Sequence, residues 1–329
     1  MPRGKNGANK NTIQVNFFGL LLGAAAVFFI GASLGWLGHE VPPETHAVRE
    51  SGYEFINPIL LCNLDSSVAE NEDISLTKKL RDYISQAPSV DVSVYYLKPG
   101  GARWAGVNEN ERFSPASMLK VPIMAAVLRD AETHPELVDQ KVYYDGAVDH
   151  NALEAIKPVH PLLPGNSYSV QELIRAMIVE SDNNATELLT NLLTQKEFEN
   201  IYTDLGLEVP SVGGPVDFMS TKAFTLFLRV LYNGTYLSRE NSQFALKLMS
   251  ESNFAQGIRA GVPSEVTVAS KFGERRVDSP SGVVEELHDC GMVYAEKGPY
   301  FLCIMTRGNT LDTLAKEIAD LSKIVYEAQ

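Results

Sequence analysis

Phe113-Ser114-Pro115-Ala116-Ser117-Met118-Leu119-Lys120-Val121-Pro122-Ile123 passes from loop residues into an apolar helical pattern, and its second serine stands three positions before a lysine. On a helix that spacing puts both side chains on one face a turn apart, so the lysine amine reaches the serine hydroxyl. A serine hydroxyl becomes a useful nucleophile only with a base beside it. Met118, Leu119, Val121 and Ile123 strip water from the Lys120 ammonium, which lowers its pKa and makes a neutral amine available as that base. The helix start adds N–H groups that stabilise developing negative charge. The pattern S-x-x-K is nevertheless short enough to recur by chance, and Ser75-Leu76-Thr77-Lys78 repeats it. There the serine sits where a helix begins, and it is predicted to be that helix's N-cap.

Later residues separate the two serines. Ser169 and Glu172 form a capping box that opens a helix with Leu173, Ile174, Met177 and Ile178 on its buried face. That pattern breaks at Ser181-Asp182-Asn183 and resumes through Leu188 and Leu192, which makes the break a turn between helices, with Asp182 capping the second. Lys271-Phe272-Gly273 ends a predicted strand over Glu265 to Lys271. Around these three motifs the chain reads as a helix through Leu76, Leu80 and Ile84, a hairpin from Val90–Leu97 and Arg103–Val107, and a helical middle with further helices near 222–232 and 239–251. Strands at His288–Ala295 and Tyr300–Thr306 follow, and a last helix turns Leu311, Leu314, Ile318, Leu321 and Val325 inward. Strands at both ends with helices between them predict an α/β (α+β) fold. Its five-stranded antiparallel sheet is flanked by the terminal helices, with an inserted all-helical lobe and a cleft where the two meet.

The order S-x-x-K, S-D-N, then a strand-borne Lys-x-Gly resembles the class A β-lactamases and the penicillin-binding proteins, over about Asp73 to Gln329. That resemblance implies that Ser117 is acylated, that Lys120 is its base, and that Ser181 relays a proton to the leaving nitrogen. It implies that Asn183 holds the substrate amide, that Lys271-Phe272-Gly273 lines the carboxylate subsite, and that the backbone N–H groups of Ser117 and Glu274 form an oxyanion hole. The substrate implied is a β-lactam or a peptidoglycan-like peptide. Two departures qualify it. No E-x-x-L-N motif follows the S-D-N turn, and Glu208 is the sole glutamate in the corresponding stretch 203–216, so deacylation is expected to be slow. Phe272 replaces the Thr or Ser of the family, removing a hydroxyl and offering an apolar surface to a different acyl donor. A binding module that keeps the fold without turnover is the alternative reading.

The N-terminus carries a separate message. Phe17 to Leu37 is uncharged and apolar, long enough to cross a bilayer as a helix and longer than the apolar region of a cleaved signal, about 7–15 residues. The formal charge of −13 divides into +3 before Glu40 and −16 from there on. The basic residues Arg3, Lys5 and Lys10 precede the span and leave the N-terminus cytoplasmic, with the bulk of the chain outside. The expected organisation is a cytoplasmic tail over 1–12, a single transmembrane helix over 13–38 in the lipid bilayer of the cell membrane, a linker over 39–72 and the hydrolase domain over 73–329.

The acidity of that domain argues against nucleic acid as a partner. His134, His150, His160 and His288 lack metal-ligand spacing, and no phosphate-binding glycine motif occurs, so neither a metal nor another cofactor is implied. Cys62, Cys290 and Cys303 are too few for a disulfide framework. A turn at Glu296 to Pro299 would set Cys290 and Cys303 diagonally on a hairpin, as buried free thiols. Oligomeric state is left open.

Overall fold

In the computed structural model, residues 48–61, 71–86, 90–99, 103–211, 213–279 and 282–329 are described. The expected tail and span over 1–38, with Cys62, lie outside them. No helix among the described residues is long and apolar enough to cross a membrane.

The elements run β1 Val48–Arg49, β2 Ile59–Leu61, β3 Asn71–Glu72, α1 Ile74–Ile84, β4 Asp91–Leu97 and β5 Arg103–Val107. A 3-10 turn, Ala116–Leu119, then leads into α2 Lys120–Ala131. The lobe continues with β6 Lys141–Tyr144, β7 Asn166–Ser169, α3 Val170–Val179, α4 Asn183–Thr190, α5 Gln195–Asp204, α6 Thr221–Tyr232 and α7 Arg239–Ser250. The chain closes with β8 Thr267–Ser279, β9 Gly282–Tyr294, β10 Tyr300–Gly308 and α8 Leu311–Glu327.

The main sheet has the order β3-β5-β4-β10-β9-β8. Alternation along the strands gives it two covered faces. Val92, Val94 and Tyr96 of β4, with Leu302 and Ile304 of β10, join Leu76, Leu80, Leu314, Ile318 and Leu321 of the terminal helices α1 and α8. Tyr95, Leu97, Phe301, Cys303 and Met305 face the other way and pack with Val121, Met124 and Leu128 of α2 in the helical lobe. Burial on both faces explains why β4 and β10 read as near-continuous apolar runs.

Four expectations require correction. The sheet is six-stranded and mixed, because Asn71 and Glu72 pair parallel with Arg103 and Trp104. A two-residue strand shows no alternation in sequence; it is held by Asp73, whose N–H donates to Trp104 O at 2.7 Å. That same Asp73, not Ser75, caps α1, accepting from Leu76 N. Residues 48–61, assigned to a linker, pack on the domain: Phe55 and Ile56 are buried, and the N–H of Asn57 donates to Tyr232 O at 2.8 Å. Finally, Cys290 and Cys303 stand directly opposite one another and form a disulfide, with Cα atoms 4.0 Å apart. The ladder closes at Val293 and Tyr300, and this longer loop, with Gly298 at a φ of 105°, shifts the register by two residues from the expected diagonal.

Candidate active site

The three motifs converge where β8 meets the lobe. The chain enters the Ala116–Leu119 turn through Ala116 at a φ of 47°, a left-handed conformation that an alanine adopts only where surrounding contacts impose it. One such contact comes from His288 of β9, which is fully buried and whose Nε2 donates to Ser114 O at 2.9 Å while Nδ1 accepts from Thr306 N at 3.2 Å. Burial lowers its pKa to about 4, so the ring is a neutral brace and not a proton carrier near neutral pH. On the other side, β8 presses against the turn at Gly273, where a Cβ would lie 2.7 Å from Pro115 O. Only a glycine lets the strand come this close.

Lys120 lies at the base of the site, 2% exposed. Its Nζ is 2.8 Å from Ser117 Oγ, 2.8 Å from Ser181 O, 3.0 Å from Ser181 Oγ and 2.6 Å from Asn183 Oδ1. The carbonyl oxygens of Ser181 and Asn183 can only accept, so they take two hydrogens of the amine, and in its neutral form the lone pair is left to receive a hydroxyl proton. Burial lowers the pKa to about 8, against the opposing pull of Glu154, Asp182 and Glu274. The neutral form, which can take a proton from Ser117, is therefore reached at a pH well below that of an ordinary lysine.

Ser181, at a φ of 58°, forms the turn between α3 and α4. Its hydroxyl touches two amines, Lys120 and, at 2.9 Å, Lys271. Lys271 is fully buried, and burial followed by the nearby Lys120 charge holds its pKa well below the usual lysine range. Asp182 caps α4 as expected, its carboxylate accepting from Ala185 N and also from Leu162 N. The sequence-derived residues Ser117, Lys120, Ser181, Asn183, Lys271 and Gly273 thus come together.

Two candidates fall elsewhere. Phe272 offers no surface to a substrate: it is 4% exposed and stacks on Phe254, ring centroids 4.5 Å apart, in the cluster under the terminal helices. Alternation along β8 decides this, since Lys271 faces the lobe. Glu208 pairs with Arg112 at 3.0 Å, more than half exposed, away from the Lys120 contacts.

Sequence reasoning missed Glu154. Its Oε1 accepts from Asn183 Nδ2 at 2.6 Å, and its carboxyl lies beside that of Glu274. Glu274 in turn accepts from the backbone N–H of Ile156 at 2.6 Å, and burial and then the neighbouring Glu154 raise its pKa. The loop that carries Glu154 is also tied to α4, with Asn151 Oδ1 accepting from Asn183 N at 2.7 Å and Asn184 Oδ1 from His150 N at 2.8 Å. It spans the cleft from lobe to sheet. A cavity of about 300 Å³ behind it is lined in part by Asp149, Asn151 and Lys157. Nothing in Asp149-His150-Asn151-Ala152-Leu153-Glu154 forms a period or a motif; a surplus of polar groups is the only signal. Among the described residues no group of three His, Cys, Asp or Glu is arranged to hold a metal ion.

The profile of the Beta-lactamase enzyme family matches residues 75–329. The chain belongs to that family. An imipenem-hydrolyzing beta-lactamase of Enterobacter cloacae is 24% identical over 253 residues, 72% of this chain and 82% of that protein. Among solved structures, a PBP-A variant in an acyl-enzyme complex with penicillin G aligns with a TM-score of 0.66 at 22% identity, covering 79% of this chain and 98% of that one. The beta-lactamase from Sphaerobacter thermophilus gives 0.65 at 22%, covering 78% and 97%. At such identity the structures speak to the fold, and the chain is a class A β-lactamase-like serine hydrolase by family.

Proposed function

We propose that this chain is a membrane-anchored serine hydrolase acting outside the cytoplasm, acylated at Ser117 by a β-lactam or a peptidoglycan-like peptide and slow to deacylate. The observation that carries the reading is the buried Lys120 amine 2.8 Å from Ser117 Oγ. As Oγ bonds to the substrate carbonyl carbon, the Ser117 proton passes to Lys120. Ser181, between the two amines, delivers a proton to the leaving nitrogen as its bond to the carbonyl carbon breaks. The N–H groups of Ser117 and Glu274 receive the oxyanion, a role supported by the close approach of β8 to the Ala116–Leu119 turn. Asn183 and Lys271 orient the acyl donor.

Slow deacylation is supported by the missing E-x-x-L-N motif and by the surface pairing of Glu208 with Arg112. The PBP-A variant in an acyl-enzyme complex with penicillin G shares this fold. Location outside the cytoplasm is supported by the apolar run Phe17 to Leu37 and by the Cys290–Cys303 bond, since disulfides persist in oxidising compartments.

The test is intact-mass analysis of the full chain in detergent, incubated with benzylpenicillin beside Ser117→Ala. A persistent adduct of one penicillin in the wild type and none in the variant is the expected result. Product accumulating without a lasting adduct would replace slow deacylation with β-lactamase turnover. Binding without any adduct would point to a non-catalytic module.

A further inference from the structure

The acyl donor that reaches Ser117 has to deal with an amide already in use. Every polar atom of the Asn183 side chain is engaged: Oδ1 accepts from Lys120, and Nδ2 donates to Glu154 Oε1 at 2.6 Å and to His150 O at 3.3 Å. Glu154 is partly exposed at the cleft, while its partner Glu274 is 9% exposed and fixed by Ile156 N. Two carboxyl groups side by side concentrate acceptor oxygen at this point, and burial raises the pKa of Glu274. Lys271, the amine that would have to offset these oxygens for an anionic ligand, is fully buried, with its amine bonded to Ser181 Oγ and Phe272 O and 4.0 Å from the centre of the Phe272 ring. An incoming group therefore meets carboxyl oxygen beside Asn183, not an open amide donor or an exposed ammonium.

We infer that Glu154, hydrogen-bonded to Asn183 beside Glu274, is a specificity-determining residue of the acylation site, favouring acyl donors that present an amine beside the acyl amide over donors that present only carbonyl or carboxylate oxygen there. This rests on the acylation reading above. A donor without an amine must displace Glu154 from Asn183 to place its amide oxygen, leaving a carboxylate without its hydrogen bond. A donor with an ammonium pairs with Glu154 where it stands and compensates it.

Benzylpenicillin and ampicillin provide the test, because they differ by one amino group on the carbon next to the side-chain carbonyl. Second-order rates of Ser117 acylation are measured for both on the full chain, on Glu154→Gln and on Glu154→Ala, with thermal melts to verify folding. The wild type is expected to prefer ampicillin about fivefold, the size of a part-exposed ion pair. In Glu154→Gln, which keeps an acceptor for Asn183 without the charge, the ratio falls to near one. In Glu154→Ala it also falls, and benzylpenicillin reacts faster than with the wild type.

A wild-type ratio of one or below overturns the inference whatever the variants do, and so does a preference that survives in a folded variant. If neither penicillin ever forms a Ser117 adduct, the acylation reading itself fails, and this inference with it.

Discussion

Ser75-x-x-Lys78 and Ser117-x-x-Lys120 share a spacing and nothing else. Ser75 is exposed in the first turn of α1, and Lys78, its side chain 72% exposed, reaches forward one helical turn to Asp82. Lys120 is 2% exposed and turned toward Ser117, Ser181 and Asn183. Water around Lys78 supports a full positive charge, whereas the walls around Lys120 disfavour it and the serine is near enough to supply the proton in question. The difference teaches that a four-residue pattern specifies reach, and that the rest of the chain, through the S-D-N turn and β8, specifies reactivity.

The comparison can be attacked directly. Lys120→Ala should lower the acylation rate by about two to four orders of magnitude, the usual contribution of a positioned base, while Lys78→Ala leaves it unchanged. Equal losses in stopped-flow acylation assays would erase the distinction. A smaller effect lies in the pH profile. Lys120 is protonated below about pH 8 and cannot accept the Ser117 proton, so acylation should rise roughly tenfold per pH unit up to that point and then level off. The buried Lys271 across Ser181, and Glu154, Glu274 and Asp182 around it, set the position of the bend, which should move in Glu154→Gln. A flat profile between pH 6 and 8 would contradict a neutral-lysine base. The smallest effect belongs to the exposed pair: Asp82→Ala should cost at most about 0.5 kcal/mol in urea unfolding, with acylation untouched.

The same contrast explains what could be read in advance. Helical periodicity located α1 and α8, the capping box at Ser169 and Glu172 located α3, and the order of three motifs brought Ser117, Ser181 and Lys271 to one place. Those signals are local, or their order in the chain is preserved by the fold. The misreadings concern pairings that no local pattern encodes. Asn71 and Glu72 are too few to alternate, and the Cys290 register depends on how many residues the hairpin loop holds. Glu154 becomes part of the site only because its loop crosses from α4 to β8, a contact with Glu274 over a hundred residues along the chain. Asp73 displaced Ser75 as the cap because it also meets Arg103, a tertiary partner invisible in a helix-start pattern.

The Cys290–Cys303 bond bears on how the site is assembled. Cys290 is paired with Cys303 on one side and with Lys271 on the other, so the three residues form one rank across β10, β9 and β8. In a ladder of period two, sliding a strand by a single residue would carry Lys271 to the opposite face, out of reach of Ser181. The two sulfurs meet only in this alignment of β9 and β10, so the bond ties the two strands together in the register observed. The strand that β8 pairs with, and through it the placing of Lys271, is thus fixed covalently to its other neighbour.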